Sequence, residues 1–225
     1  MLSSWARLKY PSAFDGAIAA SAPILAFLGE TPAYNDTNFY AIVTRDASSY
    51  GGTSDACKNN VRNLWNPLFS FAKHKEGRKV LQQAFRLCGP PDPLARGYDL
   101  AEWIQSAWSY MAMGDYPYPS SYITNGDGIL PAYPVRVACQ PLTGSFGTSE
   151  AELVRLMYAV GDAVSVFYNA TGTVPCFDLN GSVNNDTAND SNFWGYQWCV
   201  CSHLLHPKKR TKLPRKLTLN LCSSM

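Results

Sequence analysis

Two prolines, one residue apart, close an amphipathic helix and constrain everything beside them. Leu100, Trp103, Ile104, Ala107 and Met111 recur at i, i+3, i+4, i+7 and i+11, which is one face of a helix. The stretch Met113-Gly-Asp-Tyr-Pro-Tyr-Pro119 follows directly. Each proline lacks a backbone donor and fixes φ, so the helix cannot continue through Pro117 and Pro119. The residue before each is driven toward extended backbone. Asp115, Tyr116 and Tyr118 therefore sit on a stiff turn behind a packed helix. Such a turn can hold one carboxylate and two phenols for a ligand. It equally suits a plain helix stop with aromatic packing.

The chain has 225 residues, 46% of them hydrophobic and 13% aromatic, which is the make-up of a folded protein with a real core. No apolar run is long enough to span a bilayer. The net charge of +2 conceals two compositions. Residues 1–200 carry 13 basic against 17 acidic groups, whereas 201–225 carry six basic groups and no acid. Seven cysteines and the sequons at Asn35, Asn169, Asn180, Asn185 and Asn189 point to a secretory route. Met1 heads a Trp/Arg/Lys segment rather than an apolar signal core. That combination leads us to expect further sequence ahead of Met1.

Residues 1–10 read as a helix stopped by Pro11, and the small apolar run 16–24 as a buried strand of a parallel sheet. Thr31–Thr53 reads as loop. Helical spacing recurs over 55–75 (Val61, Leu64, Trp65, Leu68, Phe71), over a short segment up to Gly89, and over 98–113. Residues 120–140 read as a Pro-punctuated loop with an extended run at 135–138. Ser149 and Glu152 form a Ser-x-x-Glu capping box, opening a helix with Leu153, Leu156, Met157, Val160, Val164 and Phe167 on one face. The chain as a whole is predominantly helical.

Four separated stretches carry a resemblance. They are Met1-Leu-Ser-Ser-Trp-Ala-Arg-Leu-Lys-Tyr-Pro11 running on to Ile24, then Tyr110 to Pro119 with Leu130 to Cys139, then Phe167-Tyr-Asn-Ala-Thr-Gly172 with Cys176, and Trp194-Gly-Tyr-Gln-Trp-Cys199. In this order the chain resembles the dipeptidyl peptidase II and lysosomal prolyl carboxypeptidase family, serine exopeptidases that cut next to proline. The turn at Asp115 leans toward the dipeptidyl branch. The resemblance implies an α/β-hydrolase fragment with a mainly α-helical, disulfide-bonded cap domain. Residues 1–29 would be helix and buried strand of the hydrolase domain, 30–168 the cap, 169–200 the return toward the hydrolase domain, and 201–225 a divergent, disordered basic tail. It implies disulfides Cys57–Cys139 and Cys88–Cys176, with Cys199, Cys201 and Cys222 left free. It also implies a lysosomal, vesicular or extracellular setting, peptide as partner, and room for a homodimer. Met1 would lie beside the nucleophile and line the pocket. Asp115, with Tyr116 and Tyr118, would meet the substrate, its carboxylate facing a peptide's ammonium. A structural cap on a backbone amide is the competing role for Asp115.

A hydrolase of this type needs a serine on a Gly-x-Ser-x-Gly elbow, an acid and a histidine. No such elbow occurs among the 225 residues, nor do the family's Asn-Gly-x-Leu-Asp-Pro-Trp and Gly-Ala-His-His patterns. The resemblance puts the nucleophile just ahead of Met1. His74 stands between Lys73 and Lys75 on a polar face, and His203 and His206 lie in the basic tail. We therefore name no catalytic residue. Cys199-x-Cys201 with His203 and His206 lacks a second ordered pair of ligands, so neither metal nor cofactor is expected. The run Lys208 to Lys216 could be read as a nucleic-acid patch, but the secretory character of the rest argues against nucleic acid, and nothing argues for a membrane. Two readings stay open: an exopeptidase-family chain inactive by itself, and a non-catalytic peptide- or partner-binding cap.

Overall fold

A computed structural model describes residues 2–20, 22, 31–33, 37–89 and 97–179. The expectations attached to Met1, Asn35, Asn180, Asn185, Asn189 and to the tail lie outside them. The helices are α1 (Leu2–Lys9), α2 (Asn38–Asp46), α3 (Asp55–Asn63), α4 (Trp65–Ala72), α5 (Lys75–Ala84), α6 (Tyr98–Met113), α7 (Pro134–Cys139) and α8 (Glu150–Tyr168). Short 3₁₀ turns cover Ser49–Gly51 and Gln140–Leu142. Among the described residues there is no β-strand, only isolated bridges between Leu87 and Phe177 and between Ser120 and Leu130.

The core lies where α6 meets α8, with α4, α5 and α7 around them. Helix α6 buries Leu100, Trp103, Ile104, Ala107, Trp108 and Met111, the apolar stripe set by its sequence. Helix α8 answers with Leu156, Met157, Val160, Ala163 and Val164. Each large aliphatic side chain buried here stabilises by about 1.5–3 kcal/mol. Gly161 faces the carbonyl oxygen of Ala84, so α5 and α8 approach more closely than any side chain at 161 permits. Trp103 stacks on Tyr168 at 4.1 Å, and the Tyr168 hydroxyl donates to the Trp103 carbonyl at 2.8 Å. Burial pushes the Tyr168 phenol far up from its ordinary pKa.

Two disulfides staple this body. Cys57 joins Cys139, tying α3 to α7, and Cys88 joins Cys176 beside the Leu87–Phe177 bridge. The buried Asn60 adds a polar staple, donating to the carbonyls of Leu142 and Gly144, each at 2.8 Å.

Four local readings change. The helix expected across 55–75 is two helices: Pro67 cannot donate to Asn63, and its ring crowds that carbonyl, so the chain breaks at Leu64. The extended run expected at 135–138 is α7. Val135 and Val137 alternate with Arg136 like a strand, but Pro134 at the first helical position pre-sets φ and Asp115 receives the Val135 N–H. The loop expected over 31–53 contains α2, whose Phe39, Tyr40 and Ile42 are exposed, so its sequence shows no clear stripe. The run 16–24 shows no strand at 16–20 or 22, and Ile18 is 95% exposed. A strand needs a neighbour to take its backbone groups, and the described residues offer none. Helix α1 forms but buries no residue. At the start of α8, the Ser149 hydroxyl accepts the Glu152 N–H, while the Glu152 carboxylate reaches back past the box to the Gly147 N–H at 3.2 Å.

Candidate functional site

The turn after α6 is held by the segment leading into α7. Tyr133 donates its backbone N–H to the Tyr116 carbonyl at 2.7 Å, and Val135 donates to Asp115 Oδ1 at 3.2 Å. Ser120 and Leu130 exchange two backbone bonds at 3.0 and 2.9 Å, closing the intervening loop. Gly114 is buried against Ile123, which leaves no room for a Cβ at the end of α6. Tyr133 sits at φ 51°, the left-handed conformation that turns the chain into α7. Asp115 thereby lies at the positive end of a short helix and receives one of its unpaired amides.

Burial raises the half-buried Asp115 carboxyl above its ordinary range. The Val135 N–H opposes that rise, Asp46 adds to it, and Arg136 opposes it. Asp46, at the end of α2, is raised as well, mainly by burial and against the pull of Arg45. Arg136 donates to the Gly51 carbonyl at 3.1 Å, and its guanidinium lies 4.3 Å from the Tyr133 ring centre. Asp115 is thus a structural acceptor with a second carboxylate and a cation in its field.

Tyr116 and Tyr118 stack in parallel, with ring centres 5.5 Å apart and planes within 3°. Tyr118 is 58% exposed, while Tyr116 is half-buried. The sequence reading placed Asp115, Tyr116 and Tyr118 on one turn, and the structure brings them together. It did not find Asp46, whose segment read as loop, or the roles of Tyr133 and Arg136, although both stand inside a motif it quoted. The disulfides lie apart from the turn, with Cys139 at the far end of α7. Asn169 follows α8, and its Oδ1 accepts the Val174 N–H at 2.9 Å. Met1 lies outside the described residues. Among the described residues no group of three or more His, Cys, Asp or Glu is placed to hold a metal ion. No helix among them is long and apolar enough to cross a membrane.

A helical body with two disulfides and a tyrosine-faced, proline-locked turn is what this geometry defines. The chain belongs to the serine carboxypeptidase S28 family, whose pattern matches residues 1–221. It is 35% identical over 203 residues to lysosomal Pro-X carboxypeptidase of Bos taurus and 32% identical over 200 residues to that of Homo sapiens. In both cases the match covers 89% of this chain and 37% of the relative. Prolyl carboxy peptidase like protein 5 of Caenorhabditis elegans is 32% identical over 211 residues, covering 89% of the chain and 38% of the relative. The chain therefore spans somewhat over a third of the length of these relatives.

Proposed function

We propose that these 225 residues supply peptide binding and access to a prolyl-specific serine exopeptidase, and not the bond cleavage itself. Helices α2 to α8 would be the cap of an α/β-hydrolase, set over its peptide cleft. The observation that carries this is the Tyr116–Tyr118 stack on a turn locked by two prolines and tied to α7. Proline-containing peptides hold an extended, ring-studded shape in advance, and flat aromatic faces bind that shape at low entropic cost. Family membership and relatives named Pro-X carboxypeptidases support a peptide partner. The 225 residues contain no Gly-x-Ser-x-Gly elbow, which supports binding without hydrolysis. The relatives' names favour release of a C-terminal residue over release of a dipeptide, and they favour a lysosomal or vesicular setting.

Titrating the chain with a Lys-Pro-Phe peptide tests the binding. Saturable binding that weakens about ten-fold in Tyr118→Ala is expected, since stacking on an exposed ring is worth about 1 kcal/mol or more. Unchanged binding in Tyr118→Ala removes the turn from the site.

In this reading Asp115 acts first as the α7 cap, and only its free carboxylate oxygen is available to a ligand. A peptide ammonium meeting it would also relieve the field of Asp46.

A further inference from the structure

We infer that the Tyr133 ring is a third aromatic contact for the bound peptide, taking a neutral group of that peptide on the face the protein leaves open. This rests on the reading that the turn at Asp115, Tyr116 and Tyr118 takes peptides, and it gives that site a wall from the segment leading into α7. The backbone puts the residue there. Tyr133 donates its N–H to the Tyr116 carbonyl at 2.7 Å, beside the stacked rings of Tyr116 and Tyr118.

The residue type does not suit the fold. Position 133 is the N-cap of α7, with φ 51° and ψ 62°. Left-handed backbone crowds a Cβ; glycine escapes this, and asparagine tolerates it far better than a bulky residue does. Asn125, at φ 55°, shows the ordinary choice. An N-cap favours Asn, Asp, Ser, Thr or Gly as well, and the Tyr133 side chain makes no capping bond. Burial does not explain the tyrosine either, since it is 36% exposed while Pro134 and Val135 beside it are buried. A costly conformation held in place by its surroundings points to a role outside the fold.

The ring is also seated. The Arg136 guanidinium lies 4.3 Å from its centre. Arg136 is held in turn, donating to the Gly51 carbonyl at 3.1 Å, while a Cβ at Gly52, φ 78°, would meet the guanidinium. The exposed ring therefore rests on a fixed cation, and an aromatic face fixed in advance loses little freedom when a ligand covers it. The cation selects as well. It already draws on the negative face of the ring, so a second cation on the open side gains little and is repelled by Arg136. A neutral group, such as a peptide plane or an apolar side chain, stacks there without that penalty. The peptide's ammonium is left to the free carboxylate oxygen of Asp115.

The test titrates Ala-Pro-Phe and N-acetyl-Ala-Pro-Phe into the full chain and into Tyr133→Asn, Tyr133→Phe and Tyr118→Ala, with urea unfolding of each. Asparagine keeps the backbone N–H that meets Tyr116 and suits a left-handed N-cap, so Tyr133→Asn should hold or raise the urea midpoint. It should still bind both peptides about five-fold more weakly than the parent, the scale of one aromatic contact. Tyr133→Phe keeps the ring and should bind like the parent. Parent-like binding by Tyr133→Asn overturns the inference, and so does a urea midpoint that falls along with the binding, which makes the ring a part of the fold. A loss confined to the free-amine peptide makes the ring an ammonium site and overturns it too, as does a Tyr133→Phe variant that binds as weakly as Tyr133→Asn. Binding that responds to Tyr118→Ala but not to Tyr133→Asn sinks this inference alone, whereas a parent that binds neither peptide sinks the peptide reading with it.

Discussion

Asp115 accepts the backbone N–H of Val135 at 3.2 Å, and this bond, beside the one from Tyr133 N–H to the Tyr116 carbonyl, joins the end of α6 to the start of α7 across twenty residues. Both partners belong to the sequence motifs that carry the family resemblance. The bond makes the turn part of the folded body rather than an appendage. It also explains why a strand-like run of valines is helical.

Replacing Asp115 with alanine should cost about 0.5–2 kcal/mol, the range for losing a side-chain acceptor at a helix start. Asp115→Asn keeps an acceptor oxygen and should cost less. The two differ in pH response. Burial raises the Asp115 carboxyl above 3.8, so ionisation disfavours the fold. Its contribution is therefore fully present below 3.8 and is lost as pH rises through the raised value. Asp115→Asn should gain on the parent in urea midpoint between pH 3 and pH 7. A parent that gains on the variant over that range contradicts the assignment.

The two disulfides close loops with sequence separations of 82 and 88 residues. By chain entropy each should stabilise the fold by about 4.5 kcal/mol. Reduction should therefore move the urea midpoint further than any single core substitution. Cys57→Ala with Cys139→Ala should also weaken peptide binding at the turn, because Cys139 anchors α7, the helix that receives Asp115. Removing Cys88–Cys176 should lower stability and leave turn binding in the surviving fold unchanged. Urea titrations and peptide titrations of the two double variants separate these outcomes.

Much of the helical body was readable because single helices carried their own signals. Helix α6 carries Leu100, Trp103, Ile104, Ala107 and Met111 on one buried stripe and meets two prolines soon after its end, so its span could be read from spacing and the proline stop. Helix α8 has a serine cap and a long apolar face. The misreadings share one cause, which is that another segment decides the local structure. Helix α7 depends on Pro134, Asp115 and Cys139 together. Helix α2 turns only Val43, and Ala47 just past its end, toward the core. The apolar run from Gly16 can be a strand only beside another strand. At the site, Asp115, Tyr116 and Tyr118 were adjacent in sequence and so could be grouped. Asp46 reaches Asp115 through folding, with no trace in local spacing. The cysteine pairs came from the family resemblance, since spacing does not choose among partners.

Gly161→Ala pits two effects against each other. Helix propensity favours alanine by about 1 kcal/mol. The new methyl, however, meets the Ala84 carbonyl oxygen, a backbone atom that cannot rotate away. Overpacking of this kind costs about 1–3 kcal/mol and forces α5 from α8. The variant should be less stable than the parent in urea, and a raised midpoint shows that the two helices separate freely.

The central claim is binding without cleavage, and one sample can decide it. The 225-residue chain is incubated with Lys-Pro-Phe, a peptide from which either a dipeptidyl peptidase or a Pro-X carboxypeptidase releases phenylalanine. Binding is followed by titration, and peptide mass by mass spectrometry in the same tube. The account predicts saturable binding, weakened by Tyr118→Ala, with the peptide mass unchanged after a day. Phenylalanine released faster than in protein-free buffer, or no binding at all, contradicts it.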